Sequence, residues 1–367
     1  MHIGIVKELG DARVALIPDN VQQLIETNNQ VSVESGAGAE AFYSDQDFQS
    51  AGASIKSRDE VLQASDFIVT INPLINNDLN TLGDGKVLIS SFQPFADATV
   101  LDGLAERNHT VLSLDMIPRT TLAQAMDVLS SMASIGGYKS ILIAADRLPR
   151  YFPMLTTAAG TIPPAKVLIL GAGVAGLQAA ATAKRLGAVV EAFDTRLAAK
   201  EEVESLGAKF VMVEGAADDK EAGGYAVEQS EEYKQKQRAL IEEKAIKADV
   251  IVTTALLRGK KAPILVSKDT VDKMRPGAVI VDLAASGGGN CELTENEKTV
   301  TYNEITIIGN SNLAAGMPMH ASQLYGKNIW NYIKTFLKDG ELTLDWEDQI
   351  IDSSCVVLKG EIRYNKN

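Results

Sequence analysis

The chain has 367 residues, 46% hydrophobic and 23% charged, with 48 acidic against 35 basic side chains and a formal charge of −13. That length favours two domains over one core, and the acidic balance argues against a nucleic-acid partner, which needs clustered Lys and Arg to displace counterions. Cys291 and Cys355 are far apart with no metal or redox spacing, which fits a reduced, cytoplasmic compartment; MHIGIVKE lacks a signal pattern, and no run approaches the roughly 20 apolar residues of a membrane span.

Residues 1 to about 120 alternate short β-rich runs (HIGIV, QVSVES, DFIVTI, KVLISS and TVLSLD) with helical stretches such as VALIPDNVQQLIET and ATVLDGLAERN. Such alternation implies a parallel sheet with helices on its faces. No strand here is followed by a glycine phosphate loop, so this is a second α/β domain, a wall to a cleft. Residues 121–147 carry Leu122, Met126, Leu129 and Met132 or Ala133 at helical spacing and read as one or two long helices. The Gly136-Gly137 pair weakens a continuous helix and marks a possible hinge. Pro153, Pro163 and Pro164 then punctuate the approach to the next domain.

The stretch Lys166 to Arg196, KVLILGAGVAGLQAAATAKRLGAVVEAFDTR, reads as strand, glycine turn, helix and strand. In a dinucleotide-binding unit Gly171 allows the tight turn, Gly173 lets backbone approach a pyrophosphate, and Gly176 lets helix pack on strand. Val174, Ala175 and Gly176 open the helix, whose N-terminus offers N–H groups and partial positive charge to phosphate. Asp194 lies 18 residues beyond Gly176 (194 − 176), close to the spacing at which an acid meets the adenosine ribose. Strands near 166–170, 189–193, 209–213, 249–254, 278–283 and 305–309 complete the six of a doubly wound nucleotide domain. The interruption Glu214 to Tyr233 is acidic and apolar-poor. It reads equally as a solvated loop or as a flap at the cofactor edge, with Gly223-Gly224-Tyr225 at its tip and Tyr225 closing over nucleotide. After the last strand, QLYGKNIWNYIKTFLK is amphipathic, and ELTLDW and SCVVLKGEIRY close the chain as short strands that return to the first domain. The expected fold is therefore α/β, two doubly wound domains, one of them a Rossmann fold, with a cleft between them. The first comprises residues 1–125 plus 318–367, and the Rossmann domain residues 126–317.

The blocks MIPRTTLAQAMDVLSSMASIGGY, AAGTIPPAKVLILGAGVAGLQAAATAKRLGA, FDTR, AGGYA, IVTTALLRGKKAP and VIVDLAASGGGNCE, in this order, resemble the NAD(H)-binding domain I of proton-translocating nicotinamide nucleotide transhydrogenase. The likeness covers essentially the whole chain. A wider one, through KELGDARVALIP, is to alanine dehydrogenase. The first resemblance implies an NAD(H) component working with an NADP(H)-binding domain and a membrane domain. It also implies a homodimer, which the sequence supports only through the apolar 121–147 helix, and a cytoplasmic location, held peripherally at the inner membrane by the partner subunits. The chain would be a separately encoded portion of the first subunit or a piece of a longer one.

Hydride transfer between two nicotinamides moves no proton at the reacting carbons, so it asks for alignment of the partners rather than a general base. The residues matching the family's nicotinamide loop are Arg119, Gln124, Asp127 and Ser130. Gln124 can donate to and accept from nicotinamide, Asp127 can pair with Arg119, and the Gln124–Asp127 spacing puts both on one helical face. At the adenosine end lie Asp194, Thr195 and Arg196. Asp194 favours NAD(H) by accepting a 2′-hydroxyl and repelling a 2′-phosphate, and Arg196, which can serve a 2′-phosphate, is the weaker determinant. Gly224, Ala255, Leu256 and the turn Gly287-Gly288-Gly289-Asn290 match further contact blocks. Alanine dehydrogenases place a lysine near Ile71-Asn72 and a histidine within Ser91 to Phe95; this chain has neither, and its histidines are His2, His109 and His320. Arg13, which matches those relatives' carboxylate-binding arginine, reads as structural on its own. Amino-acid oxidation is the alternative these departures disfavour.

Overall fold

All five β-rich runs of the first 120 residues become strands: His2–Ile5, Gln30–Glu34, Phe67–Val69, Val87–Ser90 and Thr110–Ser113. They are apolar on both faces and almost wholly buried, the pattern of parallel strands covered on both sides. The computed structural model describes residues 1–213, 231–256 and 259–364. Within it the chain forms two units, Met1–Met132 with Ala315–Asn367, and Ala133–Ala314. These divisions lie seven residues after the expected boundary at 125/126 (132 − 125) and three before that at 317/318 (317 − 314).

The first unit is an eight-stranded sheet, in spatial order Glu361–Ile362, Cys355–Leu358, Thr110–Ser113, Val87–Ser90, Phe67–Val69, His2–Ile5, Gln30–Glu34 and Ser54–Lys56. The six strands from the first 120 residues are parallel and doubly wound, reversing direction between His2–Ile5 and Phe67–Val69. The returning tail adds Cys355–Leu358 antiparallel to Thr110–Ser113. The helix Pro318–Ile333 enters the core with Tyr325, Ile329 and Tyr332. Beyond it Phe336 stacks on Phe67, ring centroids 6.2 Å apart, and meets Tyr332 edge-on at 4.9 Å.

Some expectations need correction. VALIPDNVQQLIET is helical only over Pro18–Glu26, because Pro18 takes the first helical position and fixes the residue before it in extended backbone, Ile17 at φ −95°, ψ 168°. ELTLDW contributes only Glu341–Leu342, paired with Leu337–Lys338. The strand Ser54–Lys56 and the helices Asp45–Ser50, Arg58–Ala64 and Asn76–Thr81 have no counterpart in the sequence reading, being too short to show a period.

The second unit is a seven-stranded sheet ordered Lys209–Val211, Val189–Phe193, Lys166–Leu170, Val250–Thr253, Val279–Asp282, Ile305–Gly309 and Lys298–Tyr302. The first six are parallel and wound in the 3-2-1-4-5-6 manner. The seventh is an unanticipated antiparallel edge strand. Between the prolines preceding this sheet, Leu155–Thr157 and Gly160–Ile162 form a small hairpin where the sequence suggested only punctuation.

The 121–147 stretch becomes one helix, Val128–Arg147, and the Gly136-Gly137 pair does not break it. Leu122 lies outside the helix and is 83% exposed. By length and composition this helix could cross a membrane, contrary to the sequence reading. Its isoleucines, leucines, valine and alanines give it that hydropathy, and its Ile141 and Ala144 are part of the second unit's core.

His109 is wholly buried, and its Nδ1 accepts the Lys86 N–H at 3.1 Å, which places the proton on Nε2. Burial pushes its pKa below the ordinary value, helped by the charges of Arg107 and Lys86 and opposed by Asp84. Folding therefore draws full stability from the neutral ring above about pH 6.5 and loses it as pH falls below that value, where the unfolded chain binds the proton first. Urea midpoints at pH 7.5 and 5.5 should differ less in His109→Asn than in the parent; an unchanged difference would show that the ring does not carry the effect.

Candidate functional site

In the second unit the glycine turn joins strand Lys166–Leu170 to helix Val174–Arg185. Gly171 has φ +103°, and its N–H donates to the Phe193 carbonyl at 2.8 Å. A Cβ on Gly171 would collide with the Thr254 hydroxyl, and one on Gly176 would overlap the Gly171 carbonyl oxygen. A Cβ on Gly173 would meet nothing within 4 Å among the described residues, so this face of the turn is not covered by them. Val174, Ala175 and Gly176 supply the first helical N–H groups, which have no partner within their own helix. On the other side, the helix Val128–Arg147 presses on this turn: a Cβ on Gly137 would overlap the Ala175 carbonyl oxygen. Gly137 is thus a contact point, where the sequence suggested a hinge.

Asp194 directly follows the second strand, Val189–Phe193, and is almost wholly engaged. Its carboxylate accepts the Ala172 N–H at 2.7 Å, the Arg196 N–H at 2.8 Å, and two guanidinium N–H groups of Arg196 at 3.0 Å each. It therefore ties the glycine turn to the residues that follow the second strand. Arg196, whose pKa that bonding raises further, is committed to Asp194 and extends to the Ala172 carbonyl. Thr195 lies between them, half-buried.

A second hydrogen-bonded system links the neighbouring strand ends. The Thr254 hydroxyl donates to the Gly171 carbonyl at 3.0 Å. Fully buried Asn290 clamps Ala255 on both sides, its Oδ1 accepting the Ala255 N–H and its Nδ2 donating to the Ala255 carbonyl, each at 2.9 Å. Fully buried Asp282 in turn accepts from the backbone N–H groups of Ala284, Asn290 and Cys291 and from the Thr294 hydroxyl, at 2.7–3.0 Å. Leu256 projects into solvent and touches Gly287. Sequence reading missed Asp282, the one acid ending strand Val279–Asp282, although its place five residues before the glycine triplet was a usable signal. Gly224 and Tyr225 lie outside the described residues.

In the first unit Arg119 and Gln124 are exposed, while Asp127 and Ser130 are half-buried. Gln124–Met126 is a turn of 3-10 helix, and Asp127 caps the helix that follows. Its carboxylate accepts the Ser130 N–H at 2.9 Å and the Ser130 hydroxyl at 2.6 Å, a cap that contributes about 1 kcal/mol. Two expectations fail here. Asp127 pairs with Ser130 and not with Arg119, and Gln124 does not share a helical face with Asp127, because the helix begins only after it.

The same unit buries a polar cluster where its parallel strands end. Glu8 accepts the N–H groups of Ile71 and Asn72 at 2.6 and 3.1 Å and the Asn72 side-chain amide at 3.0 Å. Burial raises its pKa against those three bonds. Arg13 pairs with Asp11 at 2.9 and 2.5 Å, both side chains nearly inaccessible. For Asp11 burial pulls upward, but the hydrogen bonds and charge of Arg13 prevail and its pKa falls. Among the described residues no group of His, Cys, Asp and Glu is arranged to hold a metal.

Residues 4–136 match the N-terminal domain, and residues 140–365 the C-terminal domain, of the alanine dehydrogenase/PNT family. The chain is 42% identical to NAD(P) transhydrogenase subunit alpha of Haemophilus influenzae, covering 98% of this chain and 71% of that protein. It is 40% identical to the first part of NAD(P) transhydrogenase subunit alpha of Rhodospirillum rubrum, over 99% of this chain and 97% of that one. A transhydrogenase structure from Sinorhizobium meliloti superposes with a TM-score of 0.90 at 38% identity, covering 99% of this chain and all of the other. An alanine dehydrogenase from Mycolicibacterium smegmatis is more distant, 29% identical over 84% of this chain and 78% of that one.

Adjacent glycines in helix Val128–Arg147 should respond oppositely to the same change. A Cβ on Gly136 meets nothing within 4 Å, so Gly136→Ala should stabilise by about 0.5–1 kcal/mol through helix propensity. Gly137→Ala should destabilise despite the same gain, because its methyl would displace the first turn of helix Val174–Arg185. Urea unfolding of the two variants measures both signs, and equal shifts would refute the contact at Ala175.

Proposed function

We propose that this chain, which belongs to the alanine dehydrogenase/PNT family over both of its domains, is the NAD(H)-binding component of a proton-translocating transhydrogenase, passing hydride between its own NADH and NADP+ on a partner domain. The reading rests on the match along almost the whole of the Rhodospirillum rubrum chain, the first part of a transhydrogenase subunit alpha. The finer parts are Re/Si specificity, dependence on the NADP(H)-binding partner, homodimer formation, and a cytoplasmic position at the inner membrane through the membrane partner.

The residues present fit a dinucleotide. The open face of Gly173, and the N–H groups of Val174, Ala175 and Gly176 that their own helix leaves unused, suit a pyrophosphate. Bound there, the cofactor supplies the nicotinamide that gives or takes hydride. Asp194 and Thr195 stand where the adenosine ribose would lie. Both Asp194 oxygens already accept hydrogen bonds, so a 2′-hydroxyl would share one of them, while a 2′-phosphate would bring its charge against the carboxylate. The commitment of Arg196 to Asp194 removes the main sequence argument for NADP(H). Ala255, fixed by Asn290, offers backbone and the exposed Leu256 an apolar side chain at the next strand end, and Gly224 and Tyr225 are assigned to the cofactor with them.

Arg119, Gln124, Asp127 and Ser130 are assigned to orienting the nicotinamide. Gln124 is the exposed donor and acceptor, Arg119 an exposed cation, and Asp127 with Ser130 holds the start of the helix. Amino-acid oxidation would need an acid or base, and no histidine is placed for it. His109 is wholly buried, and His2 bonds the Ser32 hydroxyl at 2.7 Å; His320 is exposed on helix Pro318–Ile333.

Homodimer formation is supported by the hairpin Leu155–Thr157/Gly160–Ile162. It carries no charge from Pro153 to Ala165 and exposes Met154 and Ile162; an uncharged, exposed strand pair invites cover by another chain.

Two measurements test these readings. Mixed with the NADP(H)-binding partner, the chain should reduce an NADP+ analogue with NADH, while the chain alone with NADH, ammonia and pyruvate should oxidise none; the reverse pattern would make it an amino-acid dehydrogenase. In sedimentation, the parent should run as a dimer and Met154→Lys/Ile162→Lys as a monomer, whereas a dimeric double variant would remove the hairpin from the interface.

A further inference from the structure

We infer that Asn328 and Asn331, on helix Pro318–Ile333, are positioning residues for Gln124: together they fix the 3-10 turn that presents it. The inference deepens the proposed function and rests on Gln124 orienting the nicotinamide.

The turn Gln124–Met126 is held at three points. Ala123 and Met126 on either side of Gln124 are buried in the first unit's core with Tyr325, Ile329 and Tyr332 of the same helix. Between them the Ala125 carbonyl accepts two amide N–H groups, from Asn328 Nδ2 at 2.8 Å and Asn331 Nδ2 at 3.1 Å. A carbonyl oxygen has two lone pairs, and here both are used. Three residues on, the Asp127–Ser130 cap closes the other end of the segment. Gln124 is the residue left free to project.

The expense of this arrangement points to purpose. Asn328 is 7% exposed, yet its Oδ1 has no hydrogen-bond partner among the described residues. Burying an unpaired amide oxygen is unfavourable, and a leucine at this position would avoid it. What the side chain gains in return is the bond from its amide nitrogen to Ala125. A surface turn joined to a long helix needs no such anchor for folding, because its apolar flanks and its cap already secure it. An anchored carbonyl beside Gln124 restricts the peptide that carries it, which matters when the task is to align two rings rather than to move a proton.

The test uses the full chain reconstituted with the NADP(H)-binding partner, comparing Gln124→Asn, Asn331→Ala, Asn328→Ala and the double Asn328→Ala/Asn331→Ala. Each is read for turnover at saturating NADH, KM for NADH, and melting temperature. Gln124→Asn should slow turnover, and the double variant should slow it by about 10- to 100-fold, the range expected when a reacting group is misplaced by about 1 Å. KM for NADH should move less than about 3-fold in the double variant, since the pyrophosphate contacts assigned to the glycine turn are untouched. If Gln124→Asn turns over normally, the role of the loop falls and this inference with it. If Gln124→Asn is slow but the double variant is not, or if the double variant loses only melting temperature, the anchor is structural and the inference alone is overturned. Should the double variant fail to fold, half-buried Asn331→Ala decides: a clear loss of turnover at unchanged KM supports the anchor, and parental turnover rejects it.

Discussion

The second unit is arranged around a contact that forbids a side chain. Position 176 must approach the Gly171 carbonyl so closely that a Cβ would overlap it. That approach seats helix Val174–Arg185 on the strand before it and aims the helix's first N–H groups at the uncovered face of Gly173. Everything nearby maintains it. The Thr254 hydroxyl holds the same Gly171 carbonyl, Asp194 holds Ala172, and Gly137 admits a second helix against Ala175. Three separate segments of the chain thus converge on one turn of backbone.

How much of this was readable beforehand follows from where each signal resides. The strand, turn, helix and strand of residues 166–196 carry their information locally, as glycines at fixed offsets and apolar runs of the right length, and the structure repeats them almost residue for residue. Alternation alone pointed to a parallel sheet in the first unit, and the glycine motif with its run of strands pointed to the doubly wound order of the second. What escaped was information held between distant segments. Asp282 looks like any polar residue ending a strand until the turn it organises folds back over it. The hairpin at 155–162 reads as linker because its apolar residues are few and show no period, and Met154 and Ile162 stay exposed. An interval of three residues, Gln124 to Asp127, suits a helical face or a cap, and only the point where the helix begins separates the two. That point is set by Ser130 bonding back to Asp127, so the imagined pairing with Arg119 gave way to a shorter-range one.

The glycine pair at 136–137 makes a related point. Composition treats the two residues alike, as helix breakers. The helix runs through both, because burial against the second unit's core outweighs a propensity cost of about 1 kcal/mol per glycine. One glycine is required by a neighbouring carbonyl, and for the other the structure supplies no such contact.

The carboxylates described at the strand and helix ends share one condition. Glu8 holds the N–H groups of Ile71 and Asn72, Asp11 holds Arg13, Asp127 caps with Ser130, Asp194 is filled by Ala172 and Arg196, and Asp282 by three N–H groups and a hydroxyl. A general base needs a lone pair for the proton it takes, and every oxygen of these five carboxylates already accepts a hydrogen bond. An oxidation of an alcohol or amine needs a proton acceptor, and any of these carboxylates would have to loosen part of its clamp to serve as one. Transfer between two nicotinamides has no such need, and its demand is for surfaces that hold still. Acids spent as clamps on turns, and amides spent on a single carbonyl beside Gln124, answer that demand in the same way, by converting side-chain hydrogen bonds into a rigid main chain.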